Sequence, residues 1–223
     1  PPERSEPIPV QPDEELTHQI ERFEEKYDVN IVLAGHKFGL GHYEISGSDS
    51  ENVNDYLPLF LSEFNLYPAE FVKKSGVSKV VLCKDLAYEK QLRAAVPDFS
   101  TGILYFDVER GAWLPIYQRG AIHHEYFHLI DYRDDGKLYV DKQWTLLNPS
   151  GFEYGNGGVN GQSDPTQGLR FEKPGFMNRY STQGVEEDKA EIFAYLMTHA
   201  DIMAERMRND SIVAAKANMM KQL

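Results

Sequence analysis

Apolar positions recur at helical spacing soon after the start of the chain. Leu16, Ile20, Phe23 and Tyr27 share one face of a helix that Asp13 is placed to cap. Residues 29–33 are apolar and β-branched, which predicts a strand. A glycine-rich turn leads to a second short strand near residues 42–45, and the two form a candidate hairpin. Helices are predicted over residues 52–64 and, after Pro68, over residues 69–74. Residues 78–82 and 102–108 read as strands, the second as a candidate edge strand, with a short helix over 86–96 between them. A longer helix runs from about Tyr117 to Arg133, and Gly136 supplies a left-handed cap. From Glu186 to about Met220 the spacing predicts one or two helices, with Ile192, Tyr195, Leu196 and Met203 on an apolar stripe. Strands first and helices afterwards argue for an α+β fold with a small mixed sheet and a helical C-terminal lobe.

Two stretches break the pattern. Residues 1–12 are proline-rich and read as an extended tail, of the kind left when an upstream segment is removed. Residues 148–168 are rich in glycine and asparagine and predict a long irregular insert, either a lid over a cleft or a flexible loop. Asn156, Asn160 and Asp164 in it have no EF-hand spacing, so a flexible loop is preferred to a calcium site. The expected organisation is one domain over residues 13–223. Its N-terminal lobe (13–133) carries the sheet and the long helix, and its C-terminal lobe (134–223) carries the insert.

Charge narrows the function classes. The chain of 223 residues carries 35 acidic and 23 basic side chains, a net charge of −12, which repels phosphate backbones and argues against nucleic-acid binding. No apolar run reaches the roughly 18–20 residues of a membrane span. The single cysteine, Cys83, continues the apolar run Val80-Val81-Leu82 and reads as a buried, inert thiol. One cysteine excludes an intrachain disulfide and any cysteine-rich metal centre.

The chemistry-bearing signal lies in the long helix: His124-Glu125-Tyr126-Phe127-His128 matches H-E-x-x-H. A spacing of four places both imidazoles on one helical face, within reach of a single Zn²⁺. Glu125, about 100° round the helix, is placed to take a proton from water that the metal acidifies. Ile122, Tyr126, Leu129 and Ile130 form a packing stripe elsewhere on the helix. Two core histidines without a metal are the bland alternative, and burying them beside a glutamate is costly. A third ligand is required. Asp131 offers one, seven residues after His124 on the same face. The acidic turn Glu186-Glu187-Asp188 offers another, with Glu191 one helical turn beyond Glu187 to orient a ligand imidazole. That turn taken alone is an ordinary acidic helix start. His18, His36, His42, His123 and His199 are read as structural or surface residues, with His123 a candidate cleft residue.

Two histidines and a glutamate on one helix, followed by a glutamate on a later one, resemble the gluzincin metallopeptidases. The stretch from Tyr180 to Glu191 (Tyr-Ser-Thr-Gln-Gly-Val-Glu-Glu-Asp-Lys-Ala-Glu) is similar to the catalytic domain of anthrax lethal factor and to the Pro-Pro endopeptidases. The layout is also similar to bacterial cell-envelope proteins regarded as zinc-binding metallopeptidases. The resemblance covers roughly residues 100–200, and the gap from His128 to Glu187 is longer than in lethal factor. It implies a zincin-like fold, with His124, His128 and Glu187 as zinc ligands and Glu125 as general base. Tyr180 becomes a hydroxyl donor to the developing oxyanion, and Glu191 a residue that supports the ligands. The expected activity is hydrolysis of a peptide or protein substrate, in an extracytoplasmic setting. The alternative is an inactive zincin-like module that binds a peptide or glycan at the cell surface.

Overall fold

The computed structural model describes residues 12–34, 38–40, 43–46, 50–158 and 173–222. Residues 1–11 of the tail, residues 159–168 of the insert with Asn160 and Asp164, and His36 and His42 lie outside the described residues. The chain divides into two compact units, Pro1–Glu125 and Tyr126–Leu223. Among the described residues, no helix is long and apolar enough to cross a membrane.

The first unit opens with α1 (Glu14–Tyr27), where the Asp13 carboxylate accepts the Leu16 N–H at 2.8 Å and caps the helix as its position predicts. Then come β1 (Asn30–Leu33), β2 (Phe38–Leu40), β3 (Tyr43–Ser46), α2 (Ser50–Phe64), α3 (Ala69–Ser75), β4 (Lys79–Tyr88), β5 (Gln91–Leu92), β6 (Ala95–Asp98) and β7 (Ile103–Asp107). The strands form one mixed sheet in the order β2-β3-β4-β7-β6, with β1 and β5 also paired to β4. Strand β4 organises it. Its first half lies parallel to β1 and β7, and its second half antiparallel to β3 and β5.

Registers of Val80 with Leu104 and Leu82 with Phe106 put these four side chains on one face of the sheet. There Phe60 and Tyr56 of α2 meet Phe106, with ring centroids 5.6 and 6.3 Å apart. Phe23, Tyr27 and Phe64 extend the same aromatic cluster to α1. On the opposite face Val81, Cys83 and Tyr105 pack with Ile45 and Leu86. Cys83 is fully buried, and burial pushes its thiol far above the usual range, so it is inert as expected.

Several expectations need correction. Strand β1 does not form a hairpin with β3; it runs parallel to β4, and the hairpin partner of β3 is β2. Strand β7 is not an edge, because β6 covers its outer side. Residues 86–96 are not a helix. They finish β4, turn through Glu89 and Lys90 (φ 48° and 66°) and return as β5 and β6. Two consecutive left-handed residues make the tight hairpin turn that usually takes Asn-Gly, so the turn lacked its usual marker.

Helix α4 (Pro115–Asp135) follows β7 and contains the boundary between the units. The buried Asp107 carboxylate closes the strand by accepting the Leu86, Glu109 and Arg110 N–H groups at 3.0–3.1 Å. Gln118 Nε2 then donates to the Val108 carbonyl at 3.1 Å and fixes the first turns of the helix. From Ile122 to Asp131 no residue of α4 is exposed. The helix is buried all round in this stretch rather than along one stripe, and Ile130 is one of its less buried members.

The second unit holds α5 (Lys142–Thr145), a 3₁₀ turn (Tyr180–Thr182), α6 (Val185–Thr198), α7 (Ala200–Asn209) and α8 (Ser211–Met220). Phe127, Trp144, Met177, Ile192, Met203 and Val213 form its core. Three helices stand where one or two were expected, because His199 and Asp210 leave helical backbone geometry. Asp210 then restarts the helix by accepting the Ile212 and Val213 N–H groups.

Candidate metal centre

Helical spacing puts His124 and His128 one turn apart on α4, and both are buried (6 and 7 % exposed). Helix α6 begins at Val185 after Gly184, which has no side chain to cap it. Its first turn is acidic, and Glu186, Glu187 and Asp188 are all buried there. Glu187 Oε2 lies 3.4 Å from His128 Nε2, and Glu187 Oε1 accepts the Tyr180 O–H at 2.8 Å. His124, His128 and Glu187 each offer one ligand atom, and these atoms all lie within 4.8 Å of one another. Two imidazoles and a carboxylate are a donor set suited to zinc. Burying a carboxylate against two imidazoles is costly without a compensating cation, so the group fits a divalent metal.

The other candidates fall around this group. Glu125 is half-buried and follows His124 on α4. Asp131, offered as an alternative ligand, is ion-paired with Lys189 of α6, and Lys189 also reaches Asp141 at 3.1 Å. Burial pulls the Lys189 ammonium down, but the two carboxylates outweigh it and hold its pKa above the usual value. Asp131 Oδ1 is therefore held by a cation of the chain itself, while its buried Oδ2 has no hydrogen-bond partner. Glu191 Oε2 accepts from Asn178 Nδ2 in the segment ahead of the 3₁₀ turn, which links Glu191 to the segment that presents Tyr180.

Three features take roles that were not foreseen in the sequence. The first is Glu186, whose carboxylate accepts its own N–H and that of Gly158 and so caps α6 in place of Gly184; burial raises its pKa. The second is the described part of the glycine-rich insert. Gly155 N–H donates to the Thr182 carbonyl and Gly157 N–H to the Gln183 carbonyl, laying residues 155–158 along the turn that carries Tyr180. A Cβ at Gly158 would collide with the Glu187 carboxylate and the Tyr180 hydroxyl, so a side chain at this point would displace that pair. The third is a buried ion pair directly after Glu187. Asp188 Oδ2 accepts from Lys216 Nζ (2.6 Å), Tyr154 O–H (2.7 Å) and Trp144 Nε1 (2.9 Å). The glycine-rich composition signalled the second feature; the other two join positions too far apart in sequence for any spacing rule.

His123 is structural. It is fully buried, donating from Nε2 to Glu63 at 2.8 Å and accepting the Tyr67 hydroxyl at Nδ1, the tautomer this network requires. Arg119 also donates to Glu63. Burial pushes the Glu63 carboxyl up, but His123 and Arg119 outweigh it and hold its pKa below the ordinary value. Glu63→Gln should therefore cost about 2 kcal/mol at neutral pH. A depressed carboxylate pKa contributes stability that is complete above the unfolded value of about 4.3 and lost as pH falls through the folded value. The gap in melting temperature between wild type and Glu63→Gln should accordingly close as pH falls below about 4. A gap independent of pH would mean that the loss comes from packing.

No family profile and no curated protein matches the sequence. The fold is similar to the crystal structure of a putative zinc-binding metallo-peptidase from Bacteroides caccae, at a TM-score of 0.56 and 14% identity, over 94% of this chain and 85% of that one. The α+β architecture, with a small mixed sheet and a helical C-terminal region, is thus one that a solved structure shares.

Proposed function

We propose that the chain is a zinc-dependent peptidase in which His124, His128 and Glu187 hold the metal. What carries the reading is the buried convergence of these three donors, two from one helix and one from another. The neighbour of like fold supports it, being described as zinc-binding and as a metallo-peptidase. When bound there, zinc supplies a Lewis acid that lowers the pKa of water to about 7 and polarises a carbonyl group. Glu125 accepts the proton of the attacking water and returns it to the leaving amine. The Tyr180 hydroxyl, which donates to Glu187 in the structure, turns from it to donate to the carbonyl oxygen as negative charge builds there. Glu191 and Asn178 keep the Tyr180 segment in place.

Metal analysis tests the ligand assignment. The purified wild type should carry about one zinc per chain. Glu187→Ala and His128→Ala should each weaken zinc binding by more than about a hundredfold, beyond what loss of a supporting residue costs. Asp131→Asn should leave zinc binding within a few-fold of wild type. A wild type that binds no zinc defeats the proposal. An Asp131→Asn chain that loses the metal while Glu187→Ala keeps it would exchange the third ligand.

A further inference from the structure

A metal site shared by two helices needs one helix held in register against the other, because ligand geometry tolerates errors of only about half an ångström. His128 comes from α4 and Glu187 from α6, and their ligand atoms face each other at 3.4 Å. Two further links join these helices within the second unit. Phe127 packs on Phe193 with ring centroids 4.9 Å apart. Such packing draws the helices together but has little directional preference. The other link is directional. Lys189, two residues beyond Glu187, donates to Asp131 Oδ1, three residues beyond His128, and both side chains are buried.

Lys189 also reaches Asp141 Oδ2 at 3.1 Å, and Asp141 Oδ1 caps α5 by accepting the Trp144 N–H at 2.9 Å. Trp144 returns to α6 through its indole N–H, which donates to Asp188 at 2.9 Å. The two residues that follow Glu187 are thus pinned from separate sides, Asp188 by α5 and α8 and Lys189 by α4. Sliding Glu187 along α4 would break both sets of bonds. A buried ion pair is weak evidence of added stability, since apolar residues of similar volume often do as well in its place. Its better-attested use is to fix a register.

We infer that Lys189 is a positioning residue: through Asp131 it registers α6 on α4 and sets Glu187 at ligand distance from His128. The inference rests on the metal-site reading given above.

The test is the full chain with Lys189→Met and Asp131→Asn together, which removes one charge of each sign and leaves the net charge beside the metal unchanged. Its zinc affinity should fall about tenfold or more, the loss usual for residues that orient metal ligands. Its melting temperature without metal should fall little, because the Asp131 charge goes with its partner. Cobalt in place of zinc reads the geometry directly, and the visible absorption of this variant should differ from wild type. Lys189→Arg should keep both the zinc affinity and the cobalt spectrum. A cavity of about 70 Å³ adjoins Lys189, so the larger guanidinium has room, and its fork can also reach the unpartnered Asp131 Oδ2. Asp131→Asn alone keeps an acceptor for Lys189, in line with the few-fold change expected of it. Met203→Ala, a truncation in the core on α7, is the reference for a purely structural loss: it should lower the melting temperature and leave the cobalt spectrum unchanged. Should the Met-Asn chain not fold, Lys189→Gln with Asp131→Asn replaces it, a neutral pair too short to span the same gap. Wild-type zinc affinity and cobalt spectrum in the neutral-pair chain overturn the inference and leave the metal site standing. An affinity that falls with melting temperature alike in Met203→Ala and the neutral-pair chain overturns it too. A wild type that holds no metal defeats the reading of the site, and this inference with it.

Discussion

Glu125→Gln should keep its zinc and lose about a thousandfold in peptide turnover, the usual worth of a positioned general base. Glutamine matches glutamate in size, so a half-buried position on α4 accepts it without disturbing the helix. It cannot take a proton from water. Glu125 also stands outside the three donors that converge on the candidate metal position, so the substitution separates holding the metal from using it. Glu125→Asp sharpens the comparison. It keeps the charge but draws the carboxylate back by one methylene, and should retain intermediate activity because proton transfer is sensitive to reach. The measurement is kcat/KM on a peptide that the wild type cleaves, alongside zinc per chain for each variant. A Glu125→Gln chain that turns over at the wild-type rate removes Glu125 from the reaction.

The parts of the fold and site that were legible in the sequence are those encoded by local spacing. Asp13 as a cap, the helices that became α2, α3 and α4, and His124 with His128 all follow from residues within a turn or two of one another. Glu187 is different. Fifty-nine residues separate it from His128, and only likeness to a metallopeptidase pattern raised it above Asp131, which the same sequence places on the face of His124. In the structure Lys189, two residues beyond Glu187, engages Asp131, a pairing that local spacing does not announce. The hairpin through Glu89 and Lys90 was illegible for a local reason, two left-handed residues of types that seldom adopt that backbone. The Glu63–His123 pair and the Asp188–Lys216 pair were illegible for a global one. Each joins ordinary-looking polar residues that only the tertiary fold brings together, and neither sequence position has a burial signature of its own.

Lys216→Ala should be among the most destabilising single changes in the second unit, costing about 3–5 kcal/mol and lowering the melting temperature by roughly 10 °C. Lys216 and Asp188 are both fully buried, and Lys216 Nζ also donates to the Gly175 carbonyl at 2.7 Å and lies 4.1 Å from the centre of the Phe176 ring. Burial raises the Asp188 carboxyl and lowers the Lys216 ammonium, each partly offset by the other's charge. Removing the lysine leaves a carboxylate in the core whose Oδ1 has no hydrogen-bond partner. The cost is therefore mainly that of stranding a charge, and a second variant isolates it. Asp188→Asn with Lys216→Met removes both charges, keeps an acceptor for Trp144 and Tyr154, and refills the lysine volume with an apolar chain. It should recover at least half of the loss, short of full recovery because the Gly175 carbonyl loses its donor. Urea or thermal unfolding of the wild type and both variants decides the matter. A double variant no more stable than Lys216→Ala would mean that the lysine contributes through its packed methylenes and not through its charge.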